Sequence, residues 1–283
     1  MSGISVVAVD LDGTLLLSDG SPAPEGMRLL KQAAENGVYV IVSTTRNPAS
    51  VRPLSAQLEI DHPIVCTNGA QVWGSPDGPV WAHHTIPMEA ALAVAQLADT
   101  HGWGLSITIE SMIYWRQRPG QPLGEVEPNR MVVRTNMDAL GEEPDAIAVW
   151  EPEAFQPVRE LCQGLTDQCY FETYYRVDGS EHSLVVFPLL ADKGEGLDLV
   201  LERLGIGWEE VVAIGDNPND LPMIRKAGVG VAMGNAPDEV KREATLVAPS
   251  NDEEGVAWAL KELELGEDFG SPLDFRSLPS NTK

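Results

Sequence analysis

The run VVAVDLDGTLL, from Val6 to Leu16, limits the fold more than any other stretch of the chain. Its first four residues are apolar without polar alternation, the mark of a strand covered on both faces, as in the interior of a parallel sheet. The run then ends abruptly in two carboxylates, Asp10 and Asp12, followed by the turn-forming pair Gly13 and Thr14. Two acids held close together repel one another unless a cation or a proton intervenes.

The same rhythm continues downstream. Met27, Leu30, Ala33 and Ala34 recur at helical spacing, and Gly37 supplies a stop. VYVIVSTT is a second buried-strand pattern ending in hydroxyls. Asn47 and Pro48 then form a cap and first turn, Val51, Leu54 and Leu58 share one helical face, and Pro53 is a candidate kink. PIVCTNGA predicts a third strand closed by a polar turn, with a hairpin around Ser75 to Gly78. Repeated strand and helix units predict an α/β fold, a doubly wound parallel sheet whose ligands sit beyond the carboxyl ends of the strands.

From about Pro87 the rhythm changes. An Ala-rich helix pattern to Thr100 is followed by LSITIE and MIYWRQ as strands, then AIAVW, another helix-like stretch, and short strands around Tyr170 to Tyr175 and Ser183 to Phe187. This predicts an α+β insertion over 85–187 that splits a core of 1–84 and 188–265. After Pro188 come a helix with Leu197, Val200, Leu201 and Leu204, the strand VVAIGD, a helix through Leu221 and Ile224, the strand VGVAM, and a helix from about Glu253 to Leu263. Residues 266–283, rich in Gly, Pro, Ser and Asp, read as a mobile tail.

Charge narrows the partners. Against 43 Asp+Glu stand 19 Lys+Arg, a net charge of −24, which repels nucleic acid and anionic membranes. Cys66, Cys162 and Cys169 are odd in number and lack C-x-x-C spacing, so neither a disulfide framework nor a zinc site is expected. No basic segment precedes the first apolar run and no run of about 18 apolar residues occurs. The expected location is cytoplasmic, as a monomer or small homo-oligomer.

At the end of an extended strand, positions i and i+2 share a side, so Asp10 and Asp12 are expected to face one pocket. IGDNPND supplies further acids, Asp216 and Asp220, and an all-oxygen set of this charge suits a hard divalent ion such as Mg²⁺. Thr44 offers a hydroxyl after the second strand. Lys193 opens a helix, at a start expected to be exposed, where an ammonium and free N–H groups favour an anion. Metal, ammonium, hydroxyl and N–H groups describe a phosphoryl site. One acid can attack phosphorus while the other moves the proton.

These motifs, in this order, resemble those of the haloacid dehalogenase superfamily, and within it the Cof-type (subclass IIB) sugar phosphatases. The resemblance implies a Rossmann-like core with an inserted C2-type cap, Mg²⁺-dependent hydrolysis of a small phosphorylated metabolite, and an aspartyl-phosphate intermediate. It makes Asp10 the nucleophile and metal ligand, and Asp12 the general acid/base, whose main-chain carbonyl also reaches the metal. It makes Lys193 the partner of the nucleophile and phosphate, and Asp216 a metal ligand. Asn219 and Asp220 support the metal, its waters and the lysine, with Asn219 also a phosphate contact. Thr44, Thr45 and Arg46 match the phosphate-binding second motif, and TNGA (Asn68, Gly69) and MGNA (Asn235) match subfamily turns. Thr45 stands where relatives carry glycine. It keeps the N–H, but a branched Cβ disfavours positive φ.

Competing readings stand beside these. Thr44 is also a plausible cap or turn residue, Asn68, Asn219 and Asn235 are plausible turn formers, and Arg46 a plausible surface ion pair. His83 and His84, adjacent and therefore pointing apart, read as linker residues. Trp103, Tyr114, Trp115 and Trp150 read as core before pocket. A phosphomutase and a non-catalytic phosphate sensor are the rival functions.

Overall fold

The structure is a computed structural model that describes residues 3–116, 128–175 and 179–265. The expected tail, 266–283, lies outside the described residues. The chain forms two compact units, one within Met1–Arg46, Ser50–Ala82 and Asp192–Lys283, the other within Asn47–Ala49 and His83–Ala191.

In chain order the elements begin with β1 (Val6–Val9), α1 (Pro24–Glu35), β2 (Tyr39–Ser43), α2 (Pro48–Leu58), β3 (Ile64–Cys66), β4 (Gln71–Trp73) and β5 (Val80–His83), which belong to the first unit apart from Pro48, Ala49 and His83. The second unit carries α3 (Met88–His101), β6 (Leu105–Ile109), β7 (Met112–Arg116), β8 (Arg130–Val133), β9 (Ala146–Val149), α4 (Pro152–Gln163), β10 (Cys169–Tyr175) and β11 (Glu181–Pro188). The first unit resumes with α5 (Lys193–Leu204), β12 (Val211–Gly215), α6 (Leu221–Lys226), β13 (Val229–Ala232), α7 (Asp238–Glu243), β14 (Leu246–Val247) and α8 (Gly255–Glu262).

The first sheet runs β14-β13-β12-β1-β2-β3-β4-β5. The pairs from β14 to β3 are parallel, and β4 turns back antiparallel to β3. Alternate side chains serve opposite faces, as the uninterrupted apolar runs require. Val7, Val9, Val40, Val42, Val212 and Ile214 pack with Leu29 and Leu30 of α1 and Leu260 of α8. Val6, Ala8, Ile41, Val65, Val211 and Ala213 pack with Leu197, Val200 and Leu201 of α5. This is the doubly wound α/β architecture. Successive strands depart in opposite directions from β1, so the crevice beyond its carboxyl end is the topological switch point.

The second unit has its own sheet, β10-β11-β9-β6-β7-β8. Leu105, Ile107, Ile147, Val149, Leu184 and Val186 pack against Ala91, Val94 and Ala98 of α3 and Phe155 and Val158 of α4. Trp103 and Tyr114 join this core. Trp150 does not: it is exposed, its indole Nε1 donating to Ser106 Oγ at 3.2 Å. The strand ends at Val149, so the alternation of the buried run no longer governs its position. Among the described residues, no helix is long and apolar enough to cross a membrane.

His83 lies where one unit ends and the other begins, and it does more than connect them. Its Nε2 lies 2.5 Å from Oδ1 of the fully buried Asp145. The hydrogen bond to Asp145 raises its pKa, against a lowering by burial, with the charges of Asp145, Glu110 and Glu142 adding to the rise. A folded pKa above the ordinary value of about 6.5 gives a stabilisation that is complete below that value and lost as pH rises through the raised one. The stability difference between wild type and His83→Gln, from urea unfolding, is therefore expected to be largest below about pH 6.5 and to shrink as pH rises through the raised value. A difference constant over that range would show that the ion pair is not what stabilises this corner.

Candidate active site

The acids sit where buried strands run out. β1 ends at Val9, and Asp10 stays buried, its N–H donating to the Ile214 carbonyl of β12 at 3.0 Å. The chain then coils at once: Thr14 and Leu16 donate to the Leu11 carbonyl, and Leu15 donates to that of Asp10. In this coil the Asp12 side chain is 53% exposed and paired with Arg46, while its charge still acts on Asp10. The two acids occupy different environments.

Lys193 is the first residue of α5, a helix capped by the Asp192 side chain, which accepts from the Glu195 N–H at 3.0 Å. Its start was expected to be exposed, but the Lys193 side chain is 1% exposed. The ammonium donates to Asp10 Oδ1 at 2.7 Å and Asp220 Oδ1 at 2.5 Å. Burial is possible because three elements close around it: β1, α5 and the turn after β12. Gly69 helps to hold the helix start. It lies at φ +93°, and a Cβ there would fall 2.1 Å from the Asp192 carbonyl oxygen, so only glycine permits this backbone approach.

Asp216 follows β12. Thr14 Oγ1 donates to its Oδ1 at 2.9 Å, and the Asn217 and Asn235 amides donate to its Oδ2 at 3.2 and 3.4 Å. Asn235 also donates to the Gly13 carbonyl at 2.8 Å. Gly13, at φ +82°, leaves room for this carboxylate: a Cβ would lie 2.4 Å from Asp216 Oδ2. Asp220 is already committed, its Oδ2 accepting from the N–H groups of Asp216 and Asn217, each at 2.9 Å. Asn219 donates to Asn68 Oδ1 at 2.9 Å, while its own buried Oδ1 has no partner.

Thr44 is fully buried. Its carbonyl accepts from Asn68 N–H and its hydroxyl from Arg46 N–H. Thr45 is partly buried and is not among the described residues with positive φ, so the branched side chain that replaces glycine is carried without that strain. Thr14 and Asn217 were missed as site residues. The signal for Thr14 was present, a hydroxyl directly after the glycine that must approach a carboxylate.

Ligand atoms of Asp10, Asp216 and Asp220 all lie within 4.8 Å of one another. Against three buried carboxylates stands one buried ammonium. Burial, with Asp220 and Asp12 adding, pushes the Asp10 pKa up to about 7 despite Lys193. Burial and the Asp10 and Asp220 charges push Asp216 well above the carboxylate range, against Thr14 and Lys193. Burial would lower Lys193, yet the Asp10 and Asp220 carboxylates carry it above its ordinary value. The pocket is short of positive charge, and its carboxylate oxygens are of the kind that suit a hard, oxygen-binding cation. Asp10 and Asp216 retain the acceptor capacity for one.

Breaking a buried pair by removing one partner costs about 3–5 kcal/mol. Lys193→Met is therefore expected to lower the melting temperature in chelator as well as to abolish turnover. The stability deficit should shrink on acidification, as protonation relieves the facing carboxylates. A melt equal to wild type in chelator would show that the lysine is no electrostatic brace.

Comparison with known proteins completes the picture. Residues 7–260 match the family model of haloacid dehalogenase-like hydrolases. The chain is 30% identical to the phosphatase YwpJ of Bacillus subtilis, covering 92% of this chain and all of that one. It is 30% identical to the pyridoxal phosphate phosphatase YbhA of Escherichia coli, covering 89% and 96%. A haloacid dehalogenase-like hydrolase from Bacteroides thetaiotaomicron superposes with a TM-score of 0.79 at 25% identity, over 92% of this chain and 99% of that one. Sequence, fold and relatives agree: the chain belongs to the haloacid dehalogenase-like hydrolase family, and is a phosphoric monoester hydrolase.

Proposed function

We propose that the protein hydrolyses small phosphomonoesters, with sugar phosphates as the leading class, through a phosphorylated Asp10 and with Mg²⁺ bound. The observation that carries this reading is the Lys193 ammonium shared between Asp10 and Asp220 inside a pocket of three buried carboxylates. The substrate class follows from the resemblance to Cof-type sugar phosphatases.

Asp10 attacks phosphorus with the oxygen that Lys193 does not hold. The bond between Asp10 and phosphorus forms as the bond to the leaving oxygen breaks, and that oxygen takes the Asp12 proton. Asp12, now a carboxylate, removes a proton from water as the water oxygen attacks phosphorus. Asp10 departs, inorganic phosphate is released, and Asp12 is again protonated. Lys193 holds Asp10 in place and favours the approach of an anion, with Thr44 and Asn219 beside it as phosphate partners. Asp10, Asp216 and the Asp12 carbonyl would hold Mg²⁺, which when bound offsets the carboxylate charge and polarises phosphoryl oxygen.

Chelation is expected to abolish turnover and Mg²⁺ to restore it; full activity in chelator would remove the metal from the reading. Asp10→Asn should form no phosphoenzyme. Asp12→Asn should release about one phenolate per site from an activated aryl phosphate and then stall, since the second half-reaction lacks its base. A burst from Asp10→Asn and none from Asp12→Asn would exchange the two roles.

A further inference from the structure

The guanidinium of Arg46 forks onto Asp12: Nε donates to Oδ2 at 2.8 Å and a terminal nitrogen donates to Oδ1 at 2.6 Å. We propose that Arg46 is the positioning residue of Asp12, setting the plane of its carboxyl group for proton transfer to the leaving oxygen, and is not a ligand of the substrate phosphate. The inference rests on the acid/base reading of Asp12 given above.

Three observations carry it. First, Asp12 needs an external support. It lies past the end of β1, in the coil from Asp10 to Leu16, with its side chain half in solvent. Among the described residues its carboxylate has no other hydrogen-bond partner. An unsupported carboxylate in that setting rotates freely, and proton transfer needs alignment.

Second, the contact has a form suited to orientation. A bidentate fork fixes both oxygens and therefore the carboxylate plane, which a lysine ammonium cannot do. With Arg46 itself 36% exposed, the pair adds little to stability. Its effect is directional.

Third, the backbone under Arg46 is clamped. Its N–H donates to Thr44 Oγ1 at 3.2 Å, and its carbonyl accepts from the Thr67 N–H at 2.9 Å. Thr67 makes that bond from φ +50°, a region that β-branched residues avoid. Its buried hydroxyl gains no hydrogen bond there. The strained turn secures Arg46 through its main chain, and the next residue, Asn68, likewise ties to the Thr44 carbonyl. Asn68 also accepts from Asn219, so one turn supports both acid arms of the site.

The experiment uses the full chain with Mg²⁺, as wild type, Arg46→Ala, Arg46→Lys and Arg46→Gln. Leaving-group release is followed in single turnovers with p-nitrophenyl phosphate and with glycerol phosphate. Inhibition by inorganic phosphate reports on the phosphate site. For Arg46→Ala the glycerol phosphate rate is expected to fall by about tenfold or more, and the aryl rate, whose leaving group hardly needs a proton, by less than about threefold. Phosphate inhibition should stay within about twofold of wild type, and lysine should rescue little of the lost rate. In an Asp12→Asn background, Arg46→Ala should add no further leaving-group dependence.

An equal fall for both substrates with weakened phosphate inhibition overturns the proposal and makes Arg46 a phosphate ligand. Unchanged rates for both also overturn it, leaving an incidental surface pair. If Arg46→Ala fails to fold, as judged by circular dichroism, Arg46→Gln carries the same comparison. An Asp12→Asn variant with no leaving-group dependence of its own would instead sink the acid/base reading, a distinct result.

Discussion

The Lys193 ammonium, buried between Asp10 and Asp220, is the constraint on which the site depends. It joins three segments that are 183 and 27 residues apart in sequence, and without it the two buried carboxylates would face each other uncompensated. A single ammonium does not neutralise the pocket, because Asp216 adds a third buried carboxylate. The pocket therefore remains short of positive charge, the condition that favours a hard cation and then an anionic ester. Asp220 contributes by being occupied. With one oxygen on the lysine and the other on two backbone N–H groups, it fixes the turn that aims Asp216.

Close backbone approach makes that packing possible. Gly13 makes room for the Asp216 carboxylate, and Gly69 lets the turn after β3 rest against the carbonyl of Asp192, one residue before the lysine. The turn itself is unusual. Thr67, Asn68 and Gly69 all have positive φ, and only the third is a glycine. Strain of this kind persists where the surroundings over-determine the backbone. Here the N–H groups of Thr67 and Asn68 donate to the Arg46 and Thr44 carbonyls in the segment that follows β2.

The parts of the fold legible in the sequence were those governed by burial. Uninterrupted apolar runs announced the parallel strands, and the motifs at their ends announced the acids. What depended on three-dimensional closure was not legible. Lys193 reads as an exposed helix start until β1 and the turn after β12 close over it, and His83 reads as linker until Asp145, 62 residues on, meets it. The i, i+2 rule assumes an extended chain and so did not foresee that Asp12, past the strand end at Val9, would be half exposed and paired with Arg46. Thr45 looked strained only because the glycine it replaces suggested a positive φ that this backbone does not adopt.

The separation of Asp10 from Asp12 gives the clearest reason for two acids in adjacent turns of chain. A nucleophilic carboxylate has to be held still and kept from bulk water, and burial beside Lys193 does both. A proton carrier has to exchange its proton with water on every cycle, which a buried group does slowly. Ending the strand at Val9 lets the chain turn at Leu11 and Gly13, so that one carboxylate remains inside while the next but one emerges into solvent. Exposure alone would leave the emerging acid without a fixed direction, and in the proposed arrangement Arg46 supplies it from a backbone anchored independently of β1. The motif thus encodes a change of environment across three residues, and it is on this change that the two roles proposed for Asp10 and Asp12 rest.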